Sequence, residues 1–299
     1  MTYIDNSCVV YRMGREAQPV QTVSSGETVR IQTYDCFRNQ LMPSAATMEQ
    51  VDFDLLNPAT GPIAVEGANP GDTLKIEILK IELDATGCTE IDQTFGVLRD
   101  RVRQPVIRRI SVSDDQIHYS RRLTLRMKPM IGVIGVAPAG DSVPTDTPGN
   151  HGGNMDCTLI AQGATLYLPV FVPGALLAVG DLHACMGDGE IAGCGLEISG
   201  HVELRLTVLP AASHAFPVVV DGQSIAVIAS EPSVEMAWKT ASRYMYEVLT
   251  KDTDMSSDDA IMLQSLAADL AICQTINPQA TVRMTFPLDY ASAYGYQVL

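Results

Sequence analysis

The stretch TLKIEILKIEL, Thr73 to Leu83, decides the fold class. Leu74, Ile76 and Ile78 alternate with polar or charged neighbours, which is the period of a strand and not of a helix. From Leu79 the phase flips, and Leu79, Ile81 and Leu83 take up the alternation. A flip inside a continuous strand pattern predicts a β-bulge, one extra residue on one strand of a pair.

The same pattern extends outward in both directions. In HVELRLTVL, Val202, Leu204, Leu206 and Val208 point inward. In ETVRIQTYD, Val29, Ile31, Thr33 and Asp35 share one face, which starts apolar and ends in an acid. Between Asn57 and Asp72 the run NPATGPIAVEGANPGD reads as turns. After LPAASHAFP the character changes. PVVVDGQSIAVIA predicts a hairpin around Asp221-Gly222. A helix opens at Pro232-Ser233, with Ala237, Ala241, Tyr244 and Val248 at helical spacing. A second opens at SSDD, capped by Ser256 or Ser257, and continues through AIMLQSLAADLAICQ to Gln274. Asn277-Pro278 forbids further helix, and ATVRMTFPL returns as a strand. The expectation is a mainly β fold: a sandwich- or barrel-like domain over residues 1–212 that carries the site, then a smaller α/β domain over 213–299.

Composition limits the function. The chain has 299 residues, with 35 acids against 20 bases and a formal charge of −15. Phosphates and anionic membranes would be repelled, so nucleic acid and membrane surfaces are poor partners. Apolar runs are interrupted by Pro and Gly and are too short to span a bilayer. The start, MTYIDNSCVVYRMGREA, lacks the basic and apolar parts of a signal peptide. Seven cysteines at scattered spacings, with no CxxC pair, suit a reduced, cytoplasmic protein.

Chemistry concentrates in two segments. GDLHACMGDGE, Gly180 to Glu190, follows the apolar run LPVFVPGALLAV directly. Asp181 and His183 are two apart and project from one face if the strand persists, offering an oxygen and an imidazole nitrogen to a metal. Gly187 and Gly189 let the chain turn and re-aim Asp188 and Glu190. In TPGNHGGNMDC, Thr147 to Cys157, His151 precedes two glycines, and Asn154 and Asp156 are two apart. Asp35, at the end of a core-facing row, needs a cation, either a metal or a basic side chain. The plainer readings are a surface acidic turn, a flexible loop and an internal salt bridge. His118, His201 and His214 read as structural or solvated. There is no GxSxG elbow or phosphate loop. Acids beside Cys185 and Cys157 would raise a thiol pKa, which disfavours a cysteine nucleophile.

Several strings together resemble the acetamidase/formamidase family of amide hydrolases: HGGNMD, LPVFVPGALLAVGDLHA, GDGE, NPATGPIAVEGANPGD, PMIGVIGVAPAG and LAADLAICQTINPQATVR. The likeness runs from about Pro19 to Pro287. It implies hydrolysis of a small aliphatic amide, of the formamide or acetamide type, to an acid and ammonia. It also implies a mostly β fold, a homodimer or larger assembly, and bound zinc or calcium. Many relatives read GD-x-HA-x-QGDGE, with Gln where this chain has Met186, a residue that cannot supply an amide hydrogen bond. On this footing a zinc-like ion is expected on Asp35, Asp181 and His183, with His151 next in line. Glu190 would be the general base. Asn154 and N–H groups near Gly152 would stabilise the oxyanion. Asp156 or Asp188 would orient ligands or hold a separate structural calcium. The alternatives are a non-catalytic, metal-stabilised β protein that binds a small ligand, and a hydrolase of another C–N bond such as a lactam.

Overall fold

The computed structural model describes residues 1–211 and 214–298. The boundary expected between 212 and 213 therefore lies outside the described residues. One nine-stranded sheet passes from Thr2–Ile4 and Glu27–Thr33 through Gly200–Leu209, Thr73–Leu83 and Thr165–Pro169. It continues into Val218–Val220, Ser224–Glu231, Ala280–Pro287 and the edge strand Asp269–Gln274. The second large sheet, of eleven strands, includes Ala59–Val65, Met130–Gly135, Gly152–Asn154, Leu177–His183 and Glu197–Ile198.

The two sheets close on one core. Val29, Ile31, Ile76, Val202 and Leu204 from the first meet Ile63, Ile131, Val179 and Leu182 from the second. The fold is thus mainly β with facing sheets. In Val218–Val220 and Ser224–Glu231 the first sheet is buried on both faces. Val219, Ala226 and Ile228 face the main core. Their alternates Val218, Ile225 and Val227 pack on the helix Val234–Lys251 through Ala237, Ala241, Met245 and Val248. Ser233 caps that helix by accepting the Met236 N–H, and Ser256 caps the helix Ser257–Ala267 by accepting the Asp259 N–H. No helix of the described residues is long and apolar enough to cross a membrane.

The bulge is present. Ile78 pairs with Leu204 and Lys80 with Glu203, so Leu79 is the extra residue. It lies 36% exposed, while Ile78 and Ile81 are both turned to the core at 1% and 8%. One added residue absorbs the phase flip and keeps both isoleucines inside.

Two expectations need correcting. The region read as turns contains the buried strand Ala59–Val65. Its register against Leu177–His183 slips around Gly61-Pro62, where proline has no ladder hydrogen to give. A Cβ at Gly61 would lie 2.7 Å from the Leu177 carbonyl oxygen, so the close approach requires glycine there. The second helix ends at Ala267 and does not reach Gln274: Ala268 is extended at φ −85°, ψ 141°. Asp269–Gln274 pairs antiparallel with Ala280–Pro287, and that tertiary ladder overrides the local helical pattern. A short third helix, Leu288–Ala293, was not expected.

Ile78→Ala is expected to destabilise the protein by about 2–5 kcal/mol in denaturant unfolding. Leu79→Ser, at the bulged and partly exposed position, should stay within about 0.5 kcal/mol of the parent. Equal losses at the two positions would contradict the bulge.

Candidate active site

The inward row of Glu27–Thr33 carries on as read: Val29, Ile31, Thr33 and Asp35 are all 0% exposed. This delivers a carboxylate to the end of the core. The neighbouring sheet delivers more. Every residue of Leu177–His183 is buried, and with it Asp181 and His183. Asp156, Glu190 and Glu197 are also buried. Among the described residues, two sets of ligand-type atoms lie within 4.8 Å of one another. These are Cys36, Asp181 and Glu197, and Asp156, His183 and Glu190.

The backbone is bent to achieve this. Asp156, Asp181 and Glu190 have φ of 46°, 56° and 45°, a left-handed region that non-glycine residues seldom occupy. Such positions are disfavoured by about 1–3 kcal/mol each and cluster at functional sites. Gly132, on the adjacent strand, leaves space for the acids. A Cβ there would fall 2.5 Å from Asp181 Oδ2 and 2.7 Å from Asp156 Oδ1.

Ion-pair contacts and hydrogen bonds hold the cluster together. His183 Nε2 lies 3.1 Å from Glu197 Oε1 and 3.4 Å from Asp181 Oδ1. The Gly195 N–H donates to Glu197 Oε1 at 2.7 Å. Asp35 accepts the Asn39 N–H at 2.6 Å, and its own N–H donates to Ser199 Oγ at 3.0 Å. Asn154, oriented to satisfy its neighbours, donates to both oxygens of Asp156 at 3.2 Å and to Asp181 Oδ2 at 3.0 Å. Asn277 donates to Asp156 Oδ2 at 2.8 Å and to the Asn154 carbonyl at 3.0 Å. Gln274 holds the turn that presents Asn277. Its Oε1 accepts the N–H groups of Ile276 and Asn277, each at 2.9 Å.

Charge is nevertheless unbalanced. Burial, then the Asp181 charge, raises the Asp35 carboxyl to about 6. Burial, joined by the Asp181 charge, raises Glu197 to about 8. Burial and the neighbouring Asp156 push Glu190 well above the usual carboxylate range. Burial acts to lower His183, but the Glu197 and Asp181 charges overrule it and hold the imidazole protonated. Burial would also raise Asp181, yet the His183 charge keeps it below its ordinary value. One imidazolium thus serves five carboxyl groups. Asp35 Oδ2, Asp181 Oδ1, Glu190 Oε2, Glu197 Oε2 and His183 Nδ1 are buried without a hydrogen-bond partner. Unsatisfied buried oxygens of this kind are the donor set a divalent cation takes. The residues therefore fit a metal.

The sequence-derived set divides. Asp181, His183, Glu190 and Asn154 come together, and Asp35 lies within electrostatic reach of Asp181. Neither Asp35 nor His151 is in either ligand group. The His151 ring sits against its own loop, 3.2 Å from where a Cβ on Gly149 or Gly153 would be. Burial lowers it to about 4, so it is neutral. Asp188 is spoken for. Arg283 donates to both of its oxygens at 2.7 Å, and Thr158 adds a bond at 3.0 Å. The thiols behave differently from each other. Burial raises Cys185. Cys157, contrary to expectation, is lowered by a hydrogen bond from Cys273, but it is 0% exposed and sealed in the core.

Glu197 was missed, although a lone acid between Leu196 and Ile198 carries the same signal as Asp35. Asn277 was read only as a helix stop. Gly132 gave no signal, because its role depends on what lies across the sheet.

The cluster floors a cavity of about 750 Å³ that Asn154, Asp181, Glu190, Glu197 and Asn277 reach. A model of the acetamidase/formamidase family matches residues 4–145 and 139–277. The structure is similar to that of an acetamidase from Bacillus halodurans, with TM-score 0.96, 40% identity, and 98% and 99% of the two chains covered. It is likewise similar to a predicted acetamidase/formamidase from Thermoanaerobacter tengcongensis, with TM-score 0.97, 40% identity and 100% and 99% covered. The formamidase of Methylophilus methylotrophus is 25% identical over 255 residues, 64% of this chain and 61% of that protein. The chain spans about three fifths to two thirds of the length of the curated relatives it matches, at 61%, 61% and 66%.

The buried acids set a pH dependence. In chelator-treated protein Glu197 keeps its proton up to about 8, whereas an unfolded glutamate has lost it by then. The raised His183 acts with the same sign. The folded state binds more protons, so stability should fall as pH rises from about 6.5 to 8. Thermal melts should show a declining Tm across that window, and Glu197→Gln should flatten the decline. A Tm that rises with pH there would contradict the charge assignment.

Proposed function

The chain belongs to the acetamidase/formamidase family, and on that premise we propose that its buried acid cluster is a divalent-metal site that hydrolyses the C–N bond of a small amide. The observation that carries the metal part is the set of buried, unpartnered oxygens around His183. The names of its relatives, formamidase and acetamidase, support the substrate class.

Asp35, Asp181, His183 and Glu197 would hold the ion, zinc by the nitrogen and carboxylate donors. When bound, such an ion polarises an amide oxygen and makes water a stronger acid. Glu190 takes the proton of the attacking water and returns it to the leaving nitrogen. Its Oε2 is unpartnered, and its side chain lines the cavity. A C–O bond forms, the C–N bond breaks, and the products are a carboxylic acid and ammonia. Asn154 and Asn277 act as positioning residues. Their amide hydrogens are given to Asp156 and Asp181, which keeps those acids in place.

Ammonia release from formamide and acetamide tests this directly. Chelation should abolish it and Zn²⁺ restore it. His183→Ala should lose bound metal, measured by elemental analysis, together with activity. Glu190→Gln should lower the rate by roughly 10²–10⁴-fold. Cys185→Ala should keep most activity. Activity that survives complete metal removal and vanishes in Cys185→Ala would overturn the proposal.

A further inference from the structure

The acids make only the floor of the cavity, and its walls have another chemistry. Phe37 and Met48 line it from the core, each 6% exposed, with Leu56 and Ile276 beside them. At its edge stand Phe53 and Phe95, 48% and 42% exposed, with ring centroids 6.4 Å apart and planes 18° from parallel. A single exposed aromatic needs no explanation, but a stacked pair beside a polar cavity marks a place where apolar surface is meant to be covered.

Both rings are held on braced turns. Asp52 accepts the Asp54 N–H at 3.1 Å, and Gln40 bonds the backbone of Asp52 on both sides, at 2.8 and 3.1 Å. This fixes the helical turn that carries Phe53. Asp92 accepts the N–H groups of Thr94 and Phe95 at 2.6 and 3.0 Å. Gly96 then lies flush on the segment after Glu190. A Cβ there would be 2.4 Å from the Ala192 carbonyl oxygen, and the Val97 N–H donates to Ile191 at 2.8 Å. The aromatic pair is therefore preformed and tied to the loop that carries Glu190.

We propose that Phe53 and Phe95 set specificity, and that the preferred substrate is an uncharged amide bearing an apolar group of aromatic size. This rests on the amide-hydrolase reading above. Acetamide would fill a small corner of a 750 Å³ cavity, and pockets of about 300–1,000 Å³ suit far larger ligands. An amide end on the acid floor leaves the rest of the molecule between Phe37, Met48 and the aromatic pair. Acyl groups carrying a carboxylate are disfavoured. Asp54, Glu90 and Asp146 line the same cavity, and the Arg12 guanidinium is engaged by the carbonyl and hydroxyl of Ser142.

The test compares acetamide with phenylacetamide on the metal-replete protein. We expect phenylacetamide to have the higher kcat/KM by roughly tenfold or more, and the Phe53→Ala/Phe95→Ala double variant to lower the ratio by about tenfold, mainly through KM. A preference for acetamide, or a ratio the double variant does not change, overturns the proposal. So does a change in oligomer mass in the double variant with selectivity intact, which would assign the pair to a subunit contact. If no amide is turned over, the hydrolase reading fails, and calorimetry still reads the cavity. Tighter binding of phenylacetamide than of acetamide supports the aromatic subsite, and equal or no binding rejects it.

Discussion

Asp35, Asp156, Asp181, Glu190 and Glu197 are removed from water around a single imidazole, and the surrounding structure answers to that fact. An ion taken into a protein interior costs several kcal/mol unless partners compensate. Here the protein supplies part of the compensation: the Gly195 N–H, the amides of Asn154 and Asn277, and His183. It stops short of completing it, which is why oxygens on four of the acids remain unpartnered. The left-handed backbone at Asp156, Asp181 and Glu190 and the missing side chain at Gly132 follow from the same demand. Each brings an acid closer to its neighbours than regular strands would.

The constraint also explains why the C-terminal segment belongs to the same body. Its helices contribute no ligand-type group to the cluster. Its strands contribute the turn of Ile276 and Asn277, set by the buried Gln274, and the Arg283 guanidinium that neutralises Asp188. The Gly189 N–H donates to the Cys273 carbonyl at 2.9 Å, fastening the acidic turn to the edge strand Asp269–Gln274. Phe37, Phe53 and Phe95 line the same cavity, so a polar floor meets apolar walls.

Much of this was legible in the sequence, for physical reasons that differ by residue. Strand alternation is local, so Val29 to Asp35 and the bulge at Leu79 could be read directly. Caps are local too, and Ser233 and Ser256 were readable. Asp181 and His183 were readable because charge at the end of an apolar run is anomalous anywhere. Glu197 obeyed the same rule and went unread, in a short buried strand between glycines. What could not be read depends on partners far along the chain. Ala59–Val65 is a strand only because Leu177–His183 lies beside it. Asp269–Gln274 leaves the helix only because Ala280–Pro287 is there to pair. Asn277 and Gly132 acquire their roles across loops and sheets.

The central claim is that the cluster is built to take a cation in place of protons. Zinc titrated calorimetrically into chelator-treated protein at pH 6.5, in buffers of different ionisation enthalpy, measures this directly. Glu197, raised to about 8, is then protonated, and burial with the neighbouring Asp156 raises Glu190 as well. Binding should release protons to the buffer, and Glu197→Gln should release fewer. Zinc that binds with no proton release, or does not bind the folded protein at all, would contradict it.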